Sequence, residues 1–102
     1  MDISISKSES EVQVKISGPI NESDGEKLKN TFNNALNESG KNVVVDLTYV
    51  PTITSSGISK ILVLLHQLKK QNRELAVAGI HINLHSLFSS INLDKLIKIR
   101  NI

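Results

Sequence analysis

The sequence predicts an α/β domain with helices packed on a mixed, mostly parallel sheet that opens with an antiparallel hairpin. Three observations carry this. Apolar residues alternate strictly near the start, helical and strand-like periodicities then take turns along the chain, and the interior strands read as compact apolar runs. At 102 residues the chain can bury one real core and has no room for two, so residues 1–102 are read as a single domain.

The elements follow in order. Ile3 and Ile5, then Val12, Val14 and Ile16, have the period of two expected of half-buried strands. Ser8-Glu9-Ser10 makes the hairpin turn, and Gly18-Pro19 ends the second strand. Ser23 opens a helix with Glu26 three residues on, the spacing of a capping box. Leu28, Phe32, Ala35 and Leu36 fall at helical spacing, and Gly40 is the expected C-terminal cap. Val43 to Leu47 is the next strand. Its unalternating Val43-Val44-Val45 is expected of a strand covered on both faces. A helix from about Ile58 to Leu68 comes after it. Projected at about 100° per residue, Ile58, Ile61, Leu62, Leu65 and Leu68 form one core stripe, while Val63 falls in the sector of Ser56, Ser59 and Lys70. Glu74 to Ala78 is a further strand ending at Gly79. A helix around Leu84 to Ile91 then leads to a last strand, Leu96 to Ile99. Strand–helix–strand order implies right-handed crossovers.

Composition excludes several classes. Hydrophobic residues at 39% and charged residues at 22% suit a soluble globular chain rather than a disordered one. The absence of cysteine rules out disulfides and thiolate metal sites and fits a reducing cytosol. No secretory leader is visible, and the longest nearly apolar run, Ile61 to Leu65, is far too short to span a bilayer. A cytoplasmic protein without membrane insertion is the expectation. Charge is uneven: residues 1–58 carry a balance of −3 and residues 59–102 a balance of +5. The basic residues are scattered over several elements, and only Phe32, Tyr49 and Phe88 are aromatic. With no stacking platform among the cations, direct nucleic-acid binding is not expected.

One stretch carries chemistry. In Thr54-Ser55-Ser56-Gly57, hydroxyls cluster where a helix begins, so free backbone N–H groups and the helix dipole both favour an anion there. The same residues also suit an ordinary N-cap. A hydrolase nucleophile elbow needs Gly on both sides of its Ser. Gly57 fits Ser55, but Ile53 fills the other position, and nothing pairs His66, His81 or His85 with that Ser. His81 and His85 have metal-ligand spacing without a third ligand, and no phosphate-binding Gly-rich loop exists. Asp24 and Asp46 are single carboxylates; Asp46 is expected to end its strand near the Ser-rich turn. An enzyme is not expected, nor is a cofactor.

Residues 43–58, Val-Val-Val-Asp-Leu-Thr-Tyr-Val-Pro-Thr-Ile-Thr-Ser-Ser-Gly-Ile, resemble the signature of STAS domains, and in particular of bacterial anti-sigma factor antagonists. There a strand ending in Asp-Leu leads to an Asp-Ser-Ser-Gly-Leu or Asp-Ser-Thr-Gly-Leu turn. Leu75 to Gly79 resembles the family's next strand, and Leu87-Phe88 through Asn92-Leu93 to Ile99 its closing segment. The resemblance implies partner switching. The unphosphorylated antagonist holds an anti-sigma factor that is also a serine kinase, and sigma is freed. Phosphorylation breaks the complex, and a metal-dependent serine/threonine phosphatase restores it. The acceptor maps onto Ser55, with Ser56 and Thr54 as alternates. The partner surface implied is Thr54, Ser55, Ser56, Gly57, Ser59 and Val63. The chain departs from the pattern at Thr54, where the family has Asp, at Ser59, commonly Gly or Ala, and at Asn92, where the family has Gly. The alternative role is that of a STAS subunit in a transporter or sensory complex, with no phosphorylation cycle.

Overall fold

A computed structural model describes residues 1–100, so the last two positions of the expected domain lie outside the described residues. Strands β1 (Asp2–Lys7) and β2 (Glu11–Ser17) form the antiparallel hairpin, with Ile3 opposite Ile16 and Ile5 opposite Val14. Then come α1 (Gly25–Leu36), β3 (Asn42–Tyr49), α2 (Ser55–Lys70), β4 (Leu75–Ile80), α3 (Ile82–Ser90) and the short β5 (Lys98–Ile99). The sheet runs β1-β2-β3-β4-β5 in chain order, parallel from β2 onward. When every crossover is right-handed and steps the same way, all helices land on one face. Accordingly, Leu28 and Phe32 of α1, Ile61, Leu64 and Leu68 of α2, and Leu84 and Phe88 of α3 share one core with the inward residues of the strands.

Among the described residues no helix covers the other face of the sheet, which presents Ser4, Ser6, Gln13, Lys15, Val44 and Asp46. This corrects the expectation of a strand β3 covered on both faces. Val44 is nonetheless only 4% exposed. Gln13 and Ala76 flank it in register, and Arg100 reaches from beyond β5 to Glu11 on β2, with Nη2 donating at 3.1 Å. A central strand can therefore read as an unbroken apolar run with neighbouring side chains, not a second layer, doing the covering.

Other boundaries shift for local reasons. The capping pair before α1 is Asn21 and Asp24 rather than Ser23 and Glu26. The Asp24 carboxylate accepts from the Asn21 N–H at 2.8 Å across a 3₁₀ turn, Glu22–Asp24, which precedes the helix. Gly40 is not the cap of α1; it lies three residues past Asn37, in the turn into β3, with φ +76°. The end of α1 is closed from afar: the Arg73 guanidinium donates to Leu36 O at 2.8 Å and Ala35 O at 3.0 Å, and its Nε to Lys41 O. Burial lowers the Arg73 pKa, with the Glu38 carboxylate opposing that shift. On α2 the buried apolar residues include Ile61, Leu64, Leu65 and Leu68, whereas Leu62 is 39% exposed. Leu64, not Leu62, belongs to the core because α2 also leans on α1, and Leu64 meets the same groove as Phe32 and Leu36. β4 runs through Gly79 to Ile80, and α3 starts early, at Ile82, because His81 caps it. β5 is shorter than expected because Leu93–Lys95 form a 3₁₀ turn, leaving Leu96 exposed. Asn92 has φ +61° after α3, the left-handed position that Asn tolerates in place of Gly.

Candidate functional site

The start of α2 is built by two loops that continue the β2–β3 pairing past the strand ends. The Gly18 N–H donates to Tyr49 O at 2.9 Å, and the Ile20 N–H to Thr52 O at 3.0 Å. The Thr54 N–H returns to Ile20 O at 3.1 Å, while Ile20 and Ile53 form an isolated parallel bridge. This pins Thr54 in an extended conformation, φ −78° and ψ 163°, as an N-cap requires. Its Oγ1 accepts from the Gly57 N–H at 3.2 Å, and its carbonyl accepts the Ile58 N–H at 3.0 Å.

The six residues expected at the site separate into distinct roles. Thr54 is the cap, half-buried and committed to the helix. Ser55 follows as the first helical residue, exposed, its hydroxyl unbonded to any described residue. The Ser56 hydroxyl, half-buried, accepts from Lys60 Nζ at 3.3 Å. Gly57 is buried and forms no part of an exposed surface: a Cβ there would sit 2.7 Å from Ile53 Cγ1 and 3.0 Å from Ile20 Cγ2. Its role is to let the first turn of α2 press against the Ile20–Ile53 bridge. Ser59 is exposed, and Val63 is 58% exposed further along the helix.

The first turn of α2 carries no acidic residue, so nothing on the helix itself offsets its positive end. Lys60 adds a cation one turn away. Val63 lies beside a groove of about 200 Å³ between α1 and α2, with Lys29, Phe32, Leu36, Lys60 and Leu64. Asp46 does not end its strand at this turn. It sits within β3 on the uncovered face, its Oδ1 accepting from the Thr48 N–H at 3.0 Å and the Thr48 hydroxyl at 2.6 Å. Gly79 makes room for that arrangement, since a Cβ there would collide with Thr48 Oγ1. His81 caps α3, its Nδ1 accepting from the Asn83 N–H at 3.1 Å, and His85 is exposed one turn on. No group of three or more metal-ligating side chains exists among the described residues, and none of their helices is long and apolar enough to cross a membrane.

The family model of the STAS domain matches residues 2–101. The chain belongs to the STAS family. No curated protein matches this STAS domain in sequence. In structure it is similar to an anti-sigma factor antagonist from Mycobacterium paratuberculosis, with a TM-score of 0.87 at 18% identity, covering 99% of this chain and 86% of that one. It is also similar to a putative anti-sigma factor antagonist from Thermotoga maritima, TM-score 0.88 at 19% identity, covering 98% and 86%. The phosphorylated form of the Bacillus cell fate determinant SpoIIAA superposes with a TM-score of 0.77 at 11% identity, covering 98% and 92%. At such identities the likeness establishes the STAS fold. Sequence reasoning missed Lys60, although its position four residues after Ser56 puts both on one helix face. It also missed Ile20, whose bridge to Ile53 no local pattern signals.

Proposed function

We propose that this STAS domain is an anti-sigma factor antagonist that works by partner switching. In its unphosphorylated form it binds an anti-sigma factor with serine kinase activity, and phosphorylation of Ser55 releases that partner. The observation that carries the reading is the division of labour at the start of α2. Thr54 supplies the cap, which leaves the Ser55 hydroxyl exposed and unbonded at the positive end of a 16-residue helix. A phosphate placed there meets free N–H groups and brings close to two negative charges with no need to refold the domain. A metal-dependent serine/threonine phosphatase would reset the switch. Docking through Ser55, Ser59 and Val63 is supported by their exposure.

The test is to incubate the protein with candidate anti-sigma kinases and ATP, then locate phosphate by mass spectrometry. Phosphate on Ser55, loss of kinase binding in Ser55→Asp and retention in Ser55→Ala are the expected results. If no cognate kinase modifies Ser55 and Ser55→Asp binds as tightly as the parent, the switch is wrong. The chain then serves as a fixed STAS subunit of a transporter or sensory complex.

A further inference from the structure

α1 and α2 pack side by side and leave the groove beside Val63 open. Phe32 and Leu64, both buried, and half-buried Leu36 line it, Val63 stands exposed, and Lys29 and Lys60 add two ammonium groups. Neither lysine forms an ion pair among the described residues. The space of about 200 Å³ has room for one or two apolar side chains. Apolar lining with unpaired cations at the edge is complementary to an apolar anchor flanked by carboxylates, a pattern an amphipathic helix offers. Against a second copy of this chain, a two-fold contact here would set lysines against lysines.

We infer that the α1–α2 groove is the docking slot for an acidic amphipathic helix of a partner protein, its apolar anchor seated on Phe32, Leu36 and Leu64 and its carboxylates facing Lys29 and Lys60. The inference rests on the reading of α2 as the docking element and adds the partner's chemistry and a route for the switch. Lys60 already donates to Ser56 one turn away. A phosphate on Ser56, the alternate acceptor on the same helix face as Lys60, competes for the same ammonium that the partner's carboxylate needs. Release then follows from charge neutralisation at Lys60, with both helices left in place.

The test titrates the isotope-labelled protein with a short helical peptide carrying a leucine stripe flanked by glutamates, and with its lysine-flanked counterpart, followed by NMR. The glutamate peptide should shift resonances along α1 and α2. The double variant Lys29→Glu/Lys60→Glu, with folding checked by circular dichroism, should bind it about tenfold more weakly and gain affinity for the lysine peptide. Ser56→Asp should weaken the glutamate peptide in the parent but not in Lys60→Gln. Shifts centred elsewhere, charge reversal changing affinity less than twofold, or Ser56→Asp acting equally without Lys60 each overturn the proposal. So does a dimer in sedimentation that Val63→Asp dissolves, which would assign the groove to a second copy. Peptide binding with no phosphate on Ser55 removes the switch and keeps the groove. A phosphorylated protein whose charge-reversed form still holds its kinase does the opposite.

Discussion

Thr54 shows how one side chain can keep a helix cap while changing the charge beside it. Its hydroxyl does the capping that a carboxylate would do, accepting from the Gly57 N–H, and it leaves no negative charge beside Ser55. Thr54→Ala should cost about 1 kcal/mol in thermal or urea unfolding, because one orphan N–H of α2 loses its acceptor. Thr54→Asp should be at least as stable as the parent, since Asp caps equally well and adds a favourable charge at the helix start. A loss in Thr54→Asp similar to that in Thr54→Ala would show that the cap works through the threonine methyl rather than its oxygen. The motif made the hydroxyl cluster conspicuous. Which of its members is engaged was illegible, because the answer depends on the Ile20 carbonyl holding the Thr54 N–H from another loop.

Among the elements, α2 is the one whose orientation sequence projection placed imperfectly. A stripe through Ile58, Ile61, Leu65 and Leu68 was legible from helical spacing. The choice between Leu62 and Leu64 at its margin was not, because both lie about equally far from the centre of the stripe and α1 decides the side. Leu64→Ala should destabilise the protein by about 2–5 kcal/mol, and Leu62→Ala by less than about 1 kcal/mol, measured by denaturant midpoints at unchanged m-value. Equal losses would mean that α2 is rotated from the position described. The end of α1 was illegible for a related reason. Arg73, 37 residues away, satisfies its last carbonyls, so no terminal glycine was needed.

At the scale of the whole molecule, the one-sided sheet sets the pattern of stability. β2, β3 and β4 are paired on both sides and supply all the buried residues of the sheet, whereas β1 is an outer strand of largely exposed residues and β5 is two residues long. Amide exchange should be slowest in β2, β3 and β4 and markedly faster in β1 and β5, as measured by NMR or mass spectrometry. Uniform protection across all five strands would contradict this ordering. Local periodicity by itself determined the class of the fold, the order of the elements and the centre of each helix's apolar stripe, because these depend on spacings a few residues long. Tertiary structure alone decided that every helix lies on one face, that Thr54 caps while Ser55 stands free, and that Lys29 and Lys60 share a groove. Each of these is a meeting of segments distant in the chain, and no short-range pattern records which segments meet.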